Sequence, residues 1–172
     1  MEERSKVRYA QTDRNAAVNG FTCAHCHAFV YTESGLSGVQ NRNHCPFCLW
    51  SRHLDLHAAG DRLSACRALM QPIGLTIKLT RKKYGPNRGQ LMLIHACKEC
   101  DALSINRIAA DDDPQKAFAV FEDSFYLCCS HRTRLNADNI YILEAVERDM
   151  VQVQLFGWLD RFRSAEVIEH LI

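Results

Sequence analysis

Two CxxC pairs, Cys23-x2-Cys26 and Cys45-x2-Cys48, stand 18 residues apart. No other feature constrains the fold of this chain as strongly. A CxxC turn presents two thiols from one tight loop. Two such turns brought together supply a tetrahedral zinc site with Zn–S distances of about 2.3 Å. The segment between them has too few apolar residues for a core of its own, so metal binding, worth on the order of 10 kcal/mol or more, has to stabilise it. Pro46 restricts the backbone between one pair of thiols. A site closed by four thiolates cannot activate water, which makes it a structural staple. His44, beside Cys45, is then expected to orient its neighbours by hydrogen-bonding a thiolate or the backbone.

The chain holds nine cysteines, at 23, 26, 45, 48, 66, 97, 100, 128 and 129. Its N-terminus has no apolar stretch like that of a secretory signal, and no apolar run reaches the roughly 18 residues of a membrane helix. The expectation is a cytoplasmic protein without a membrane partner, in which clustered cysteines hold metal rather than form disulfides. A second site is expected around Cys97-x2-Cys100. Candidates for its other two ligands are Cys66, His53, His95, Cys128, Cys129 and His131. On spacing alone, Cys128 or Cys129 with His131 completes a set of three cysteines and one histidine, and Cys66 can instead be a buried apolar residue.

Residues 1–18 are polar and read as a flexible arm, and 19–50 as a loop-rich segment in which FVYTESG (29–35) begins with strand formers. Residues 51–72 read as irregular, with one helical turn around Arg62 to Met70. LTIKLTRKK (75–83) alternates apolar and polar residues, YGPNRG (84–89) supplies turn residues, and QLMLIHAC (90–97) returns. This is a β-hairpin with an exposed loop. Residues 103–116 read as a connector ending in DDDP, where Asp113 caps and Pro114 starts a helix over 114–122. FYLCCSHRTR (125–134) is ambiguous. In 138–172, Leu143, Val146, Met150 and Val153 follow helical spacing while MVQVQLFG alternates like a strand; the helical reading is preferred, with a further capped helix at 164–172. The fold expected is α+β: a zinc-ribbon-like core with β-hairpins and a mainly helical C-terminal extension.

Several motifs in order, FTCAHC, RNHCPFCLWSRHLD, GDRLSAC, MQPIGL, IHACKEC and NRIAADDDP, resemble the RNHCP family of small, mostly bacterial proteins. The resemblance runs from about Phe21 to Pro114. It implies a zinc-binding domain over 19–116, followed by an extension, 117–172, that short members lack. It also implies a second site of Cys66, Cys97, Cys100 and, provisionally, His53, with two structural zinc ions in all. It supplies no reaction.

Three functional readings compete. Residues 1–95 carry 13 Lys and Arg against 6 Asp and Glu, a net +7, and residues 96–172 carry 8 against 14, a net −6. A basic half invites a polyanion. Arg81, Lys82, Lys83 and Arg88 cluster around the hairpin turn, where they can neutralise phosphates, and Tyr84 can stack on a base. Arg42, Arg52 and Arg62 are candidates to extend that face. The first reading is therefore a non-catalytic protein that binds RNA or the ribosome. A second is an HNH-like metal-dependent nuclease using Asn43, His44, His53 and Asp55, although the spacing departs from the usual HNH arrangement. A third is a protein-interaction adaptor whose extension presents Phe156, Trp158, Leu159 and Phe162. The run Asp111, Asp112, Asp113 is either a magnesium site or, more simply, a helix cap with solvated neighbours. No phosphate-binding glycine loop and no serine nucleophile elbow is present in the sequence.

Overall fold

The structure is a computed structural model that describes residues 19–79 and 89–157. Its elements are β1 (Gly20–Thr22), β2 (Phe29–Tyr31), α1 (Ser34–Ser37), β3 (Ser51–Arg52), β4 (Leu69–Leu79), β5 (Gly89–Cys97), β6 (Leu103–Arg107), α2 (Pro114–Asp123), α3 (Cys129–Ala137) and α4 (Arg148–Phe156), with 3-10 turns at Ser124–Tyr126 and Ala145–Glu147. The fold is α+β. The strands form an antiparallel β1–β2 ribbon and an antiparallel sheet in the order β3-β4-β5-β6.

Alternation in β4 and β5 builds the sheet. Leu75 faces Leu93 and Ile77 faces Leu91 across the ladder, so both strands turn apolar side chains the same way. Leu75, Leu91 and Leu93 pack with Leu49, Ala117, Phe121, Leu143 and Val151. The alternate β5 residues Ile94 and Ala96 pack with Ile73 and Leu135. The sheet is thus covered on both faces, and each fully buried Leu or Phe contributes about 1.5–3 kcal/mol. This core continues past residue 116, because α2 and the 143–151 segment supply part of it.

Asp113 caps α2 as its sequence predicts. The side chain accepts from the amides of Gln115 (2.9 Å) and Lys116 (3.1 Å), and Pro114 occupies the first turn. Phe156, at the end of α4, meets Phe118 of α2 edge-on at 5.9 Å, so it folds back onto the core.

Three expectations are corrected. The helical turn around Arg62 to Met70 does not form: Arg62 and Arg67 have φ of 55° and 56°, which no right-handed helix accommodates, and β4 already begins at Leu69. The connector contains a strand, β6, paired to β5 with Ile105 opposite Ile94. The helical reading holds for α4 but its face differs: Val151 is buried, whereas Val153 is 43% exposed and Val146, in the preceding 3-10 turn, 84%. The predicted helix at 164–172 lies outside the described residues, as do Trp158, Leu159 and Phe162 and the arm 1–18.

Candidate metal centres

The three CxxC elements fold into the same turn. In each, the first cysteine's amide donates to the carbonyl five residues on: Cys23 to Ala28, Cys45 to Trp50 and Cys97 to Ala102, all at 2.9 Å. The residue after each second cysteine is left-handed, with φ of 62° at His27, 61° at Leu49 and 55° at Asp101. None is glycine, so each costs roughly 1–2 kcal/mol of backbone strain. That strain is a reason for the turns to depend on an outside clamp.

The sulfurs of Cys23, Cys26, Cys45 and Cys48 converge within 4.8 Å of one another. Cys23 Sγ lies 3.6 Å from Cys48 Sγ, and Cys26 Sγ lies 3.6 Å from Cys45 Sγ. A tetrahedron with Zn–S bonds of about 2.3 Å has edges of about 3.8 Å, so the cluster is the size of a zinc coordination sphere. The amides of His25 and Cys26 point at Cys23 Sγ. Burial pushes the Cys45 thiol up to about 11 and Cys48 higher still, whereas the Ala28 amide draws Cys26 below its ordinary value. The buried thiols keep their protons at neutral pH until a divalent cation displaces them.

Strand pairing assembles the second cluster. The amide of His53, just past β3, bonds the carbonyl of Ala68 at 2.9 Å, and Cys97 pairs with Met70. His53, Cys66, Cys97 and Cys100 thereby come within 4.8 Å. Cys66 and Cys97 sulfurs are 3.6 Å apart, and His53 Nδ1 is 3.2 Å from Cys100 Sγ. These donors also suit zinc. Two structural zinc ions fit the chain, one per cluster.

The other candidate ligands lie elsewhere. Cys128 Sγ, Ser130 Oγ and His131 Nδ1 form an exposed group of their own, with Cys128 to His131 at 3.2 Å; Cys129 is exposed at the start of α3. His95 is fully buried: its Nε2 donates to the Leu49 carbonyl at 2.7 Å and its Nδ1 accepts from Asn106 Nδ2 at 2.9 Å. Burial, reinforced by nearby His44, pulls its pKa down to about 3, so the ring is neutral. It bridges the Cys45 turn to β6. Replacing it by Phe keeps an aromatic ring, though a larger one, and strands the Leu49 carbonyl and the Asn106 amide, with an expected loss of about 2–4 kcal/mol. Urea melts of the zinc-loaded variant measure this; an unchanged midpoint would remove the bridge from the account.

The partner of His44 is neither the thiolate nor the backbone group expected but a carboxylate. Its Nε2 donates to Asp112 at 2.7 Å, and Asp112 also accepts from Arg42 Nη2 at 2.9 Å and from the Ala109 amide at 2.7 Å. Arg42 Nη1 lies 2.6 Å from Asp111. Arg42 is therefore buried in an ion pair and not part of a basic face. Asp112 is the buried partner of Arg42 and His44, and Asp111 pairs with Arg42 from an exposed position, so of the two only Asp111 is a solvated neighbour of the helix cap. Of the other two arginines, Arg52 is exposed and Arg62 reaches the Arg42 carbonyl and Asp55. The proposed nucleic-acid residues Arg81, Lys82, Lys83, Tyr84 and Arg88 lie outside the described residues.

Among the described residues, no helix is long and apolar enough to cross a membrane. No curated protein and no solved structure matches the chain. The family model of the RNHCP domain matches residues 18–118, a span that takes in both cysteine clusters and the Arg42–Asp112 network, and the chain belongs to that family.

Proposed function

We propose that this zinc-binding domain is a non-catalytic nucleic-acid-binding protein that docks on structured RNA or the ribosome through the β4–β5 hairpin. One observation carries the reading. The ladder pairs without a break from Gly74 and Ile94 to Leu79 and Gly89, and the nine residues joining the strands, 80–88, hold four cations and no anion. The second metal cluster stands at the opposite end of the same hairpin, where Cys97 pairs with Met70, and fixes its base. On the described strands, Lys78 and Arg107 are exposed and add charge of the same sign.

Three of the four residues that favoured a nuclease are engaged otherwise. His44 is bonded to Asp112, His53 faces Cys100, and Asp55 accepts from the amides of Gly60 and Arg62.

Filter binding to RNA and cosedimentation with ribosomes across a salt series test the reading. Affinity is expected to fall with salt, with a slope of about −0.7 per neutralised phosphate. Lys82→Glu with Lys83→Glu should weaken binding at least tenfold and reduce the slope by roughly 1.4. Binding indifferent to both salt and these substitutions overturns the proposal.

A further inference from the structure

Seven of the nine cysteines belong to the two metal clusters, which leaves Cys128 and Cys129 outside them. Both are exposed. Cys128 occupies the N-cap position of α3, a helix of nine residues. One turn further on, His131 brings Nδ1 to 3.2 Å from the Cys128 sulfur, and Ser130 Oγ lies 3.1 Å from it. A nucleophile with a base within hydrogen-bond reach is the arrangement that activates a thiol. The imidazole can take the thiol proton, and the positive end of the helix favours the thiolate that remains. Hydrogen bonding, from the Ser130 hydroxyl foremost, draws this thiol below its ordinary value. Neither the zinc sites nor the RNA reading uses this pair.

We infer that Cys128, paired with His131, is a modification site that takes up a low-molecular-weight thiol as a reversible mixed disulfide. The co-reactant is the disulfide of that small thiol. Cys128 gives its proton to His131 Nδ1, and its sulfur attacks one sulfur of the small disulfide. The new S–S bond forms as the old one breaks. The departing thiolate keeps the electron pair of the broken bond and takes up the proton, so Cys128 is oxidised and one small thiol is released. Cys129 is a poor internal alternative. Consecutive α-carbons stand about 3.8 Å apart, whereas disulfides span roughly 4.4–6.8 Å, so a bridge between the neighbours would distort the start of α3. The other seven sulfurs are gathered in the metal clusters. An exposed sulfur, by contrast, leaves the line of attack open to a small molecule.

The zinc-loaded full chain is incubated with glutathione disulfide at neutral pH, and intact mass, peptide mapping and zinc content are followed together. One glutathionyl group per chain should appear, on Cys128, with zinc content unchanged, and a small dithiol should remove it. Cys129 is also exposed and serves as the internal control: Cys128 should react at least tenfold faster. Cys129→Ser should leave the rate within twofold, and Cys128→Ser should lower total uptake at least tenfold. His131→Gln should slow uptake at least fivefold. It should also move the pH profile of Cys128 alkylation by iodoacetamide upward, which a purely structural role would not do. The charged neighbours on α3 stay in place in that variant: Arg132 bonds the carbonyls of Ser124 and Phe125, and Arg134 bonds Asp138. Adducts spread over the cluster cysteines with loss of zinc, equal labelling of Cys128 and Cys129, or a rate and pH profile indifferent to His131→Gln overturns the assignment.

Discussion

Chelating the metal is expected to unfold the region from residue 19 to about 54 while much of the β4–β5–α2 core persists. Around the first cluster, the buried apolar residues are Cys23, Val30 and Cys45, with Phe21 and Cys48 packed against them. The cysteines are most of that core. Structural zinc contributes about 10–16 kcal/mol in small zinc modules, comparable to the roughly 5–15 kcal/mol that holds a whole domain together. Of the left-handed residues, Leu49 is also held by His95 and by the main core, whereas His27 is exposed and leans on the cysteine turn. Cys45→Ser, at a fully buried position, should lower the zinc content from two ions per chain to one. It should also abolish hydrogen-exchange protection at the amides of Cys23, Cys45 and Leu49. Cys66→Ser should likewise leave one ion but keep the β1–β2 ribbon protected. Acid should release metal, because protons compete for thiolates that burial has made basic, Cys48 and then Cys45. Elemental analysis with residue-resolved exchange checks all of this. Full protection in a metal-free chain would refute it.

The first cluster was legible because its four ligands come from two local turns, and local turns leave a spacing in sequence. The second was not legible from spacing. His53 and Cys66 join Cys97 and Cys100 only through the pairing of β3, β4 and β5, so spacing alone left the 128–131 group as plausible, and the family resemblance pointed to His53. The start of β4 was hidden by Pro72 and Gly74. Pro normally argues against a central strand, but here the register shifts between these two residues and a bulge absorbs them. At Gly74 an added Cβ would stand 2.6 Å from Ile142 Cδ1 and 3.2 Å from Ser124 Cβ, so a side chain there would force Ile142 to move. The three CxxC turns gave no glycine signal for their left-handed residues, since Leu49 meets a second demand as a core residue. Least legible was the link between RNH at 42–44 and DDD at 111–113. Charges about 70 residues apart carry no periodicity, and the helix-cap reading explained only Asp113.

Asp112→Asn is expected to destabilise the zinc-loaded protein by about 3–5 kcal/mol, a fall in Tm of roughly 6–20 °C. The side chains of Asp112 and Arg42 are both fully buried. Three donors converge on this carboxylate, from Arg42, His44 and the Ala109 amide. An asparagine turns one oxygen into a further donor facing this cluster of donors and leaves the buried guanidinium with only the partly exposed Asp111 as its anion. Asp111→Asn is the contrast. Asp111 meets the same arginine, but its side chain is 39% exposed, so water solvates what is lost and the cost should be about 1 kcal/mol or less. Combining Arg42→Met with Asp112→Leu should recover part of the Asp112→Asn loss, because no buried charge is left unpaired. The effect also reaches the metal. The Asp113 amide donates to the Pro46 carbonyl at 3.0 Å, and Pro46 lies inside the Cys45–Cys48 turn. Loosening Asp112 therefore frees one side of the first cluster, and zinc should pass to a competing chelator faster in Asp112→Asn than in Asp111→Asn. Equal melting temperatures and equal transfer rates for the two variants would show that the buried network neither supports the fold nor braces the cysteine turn.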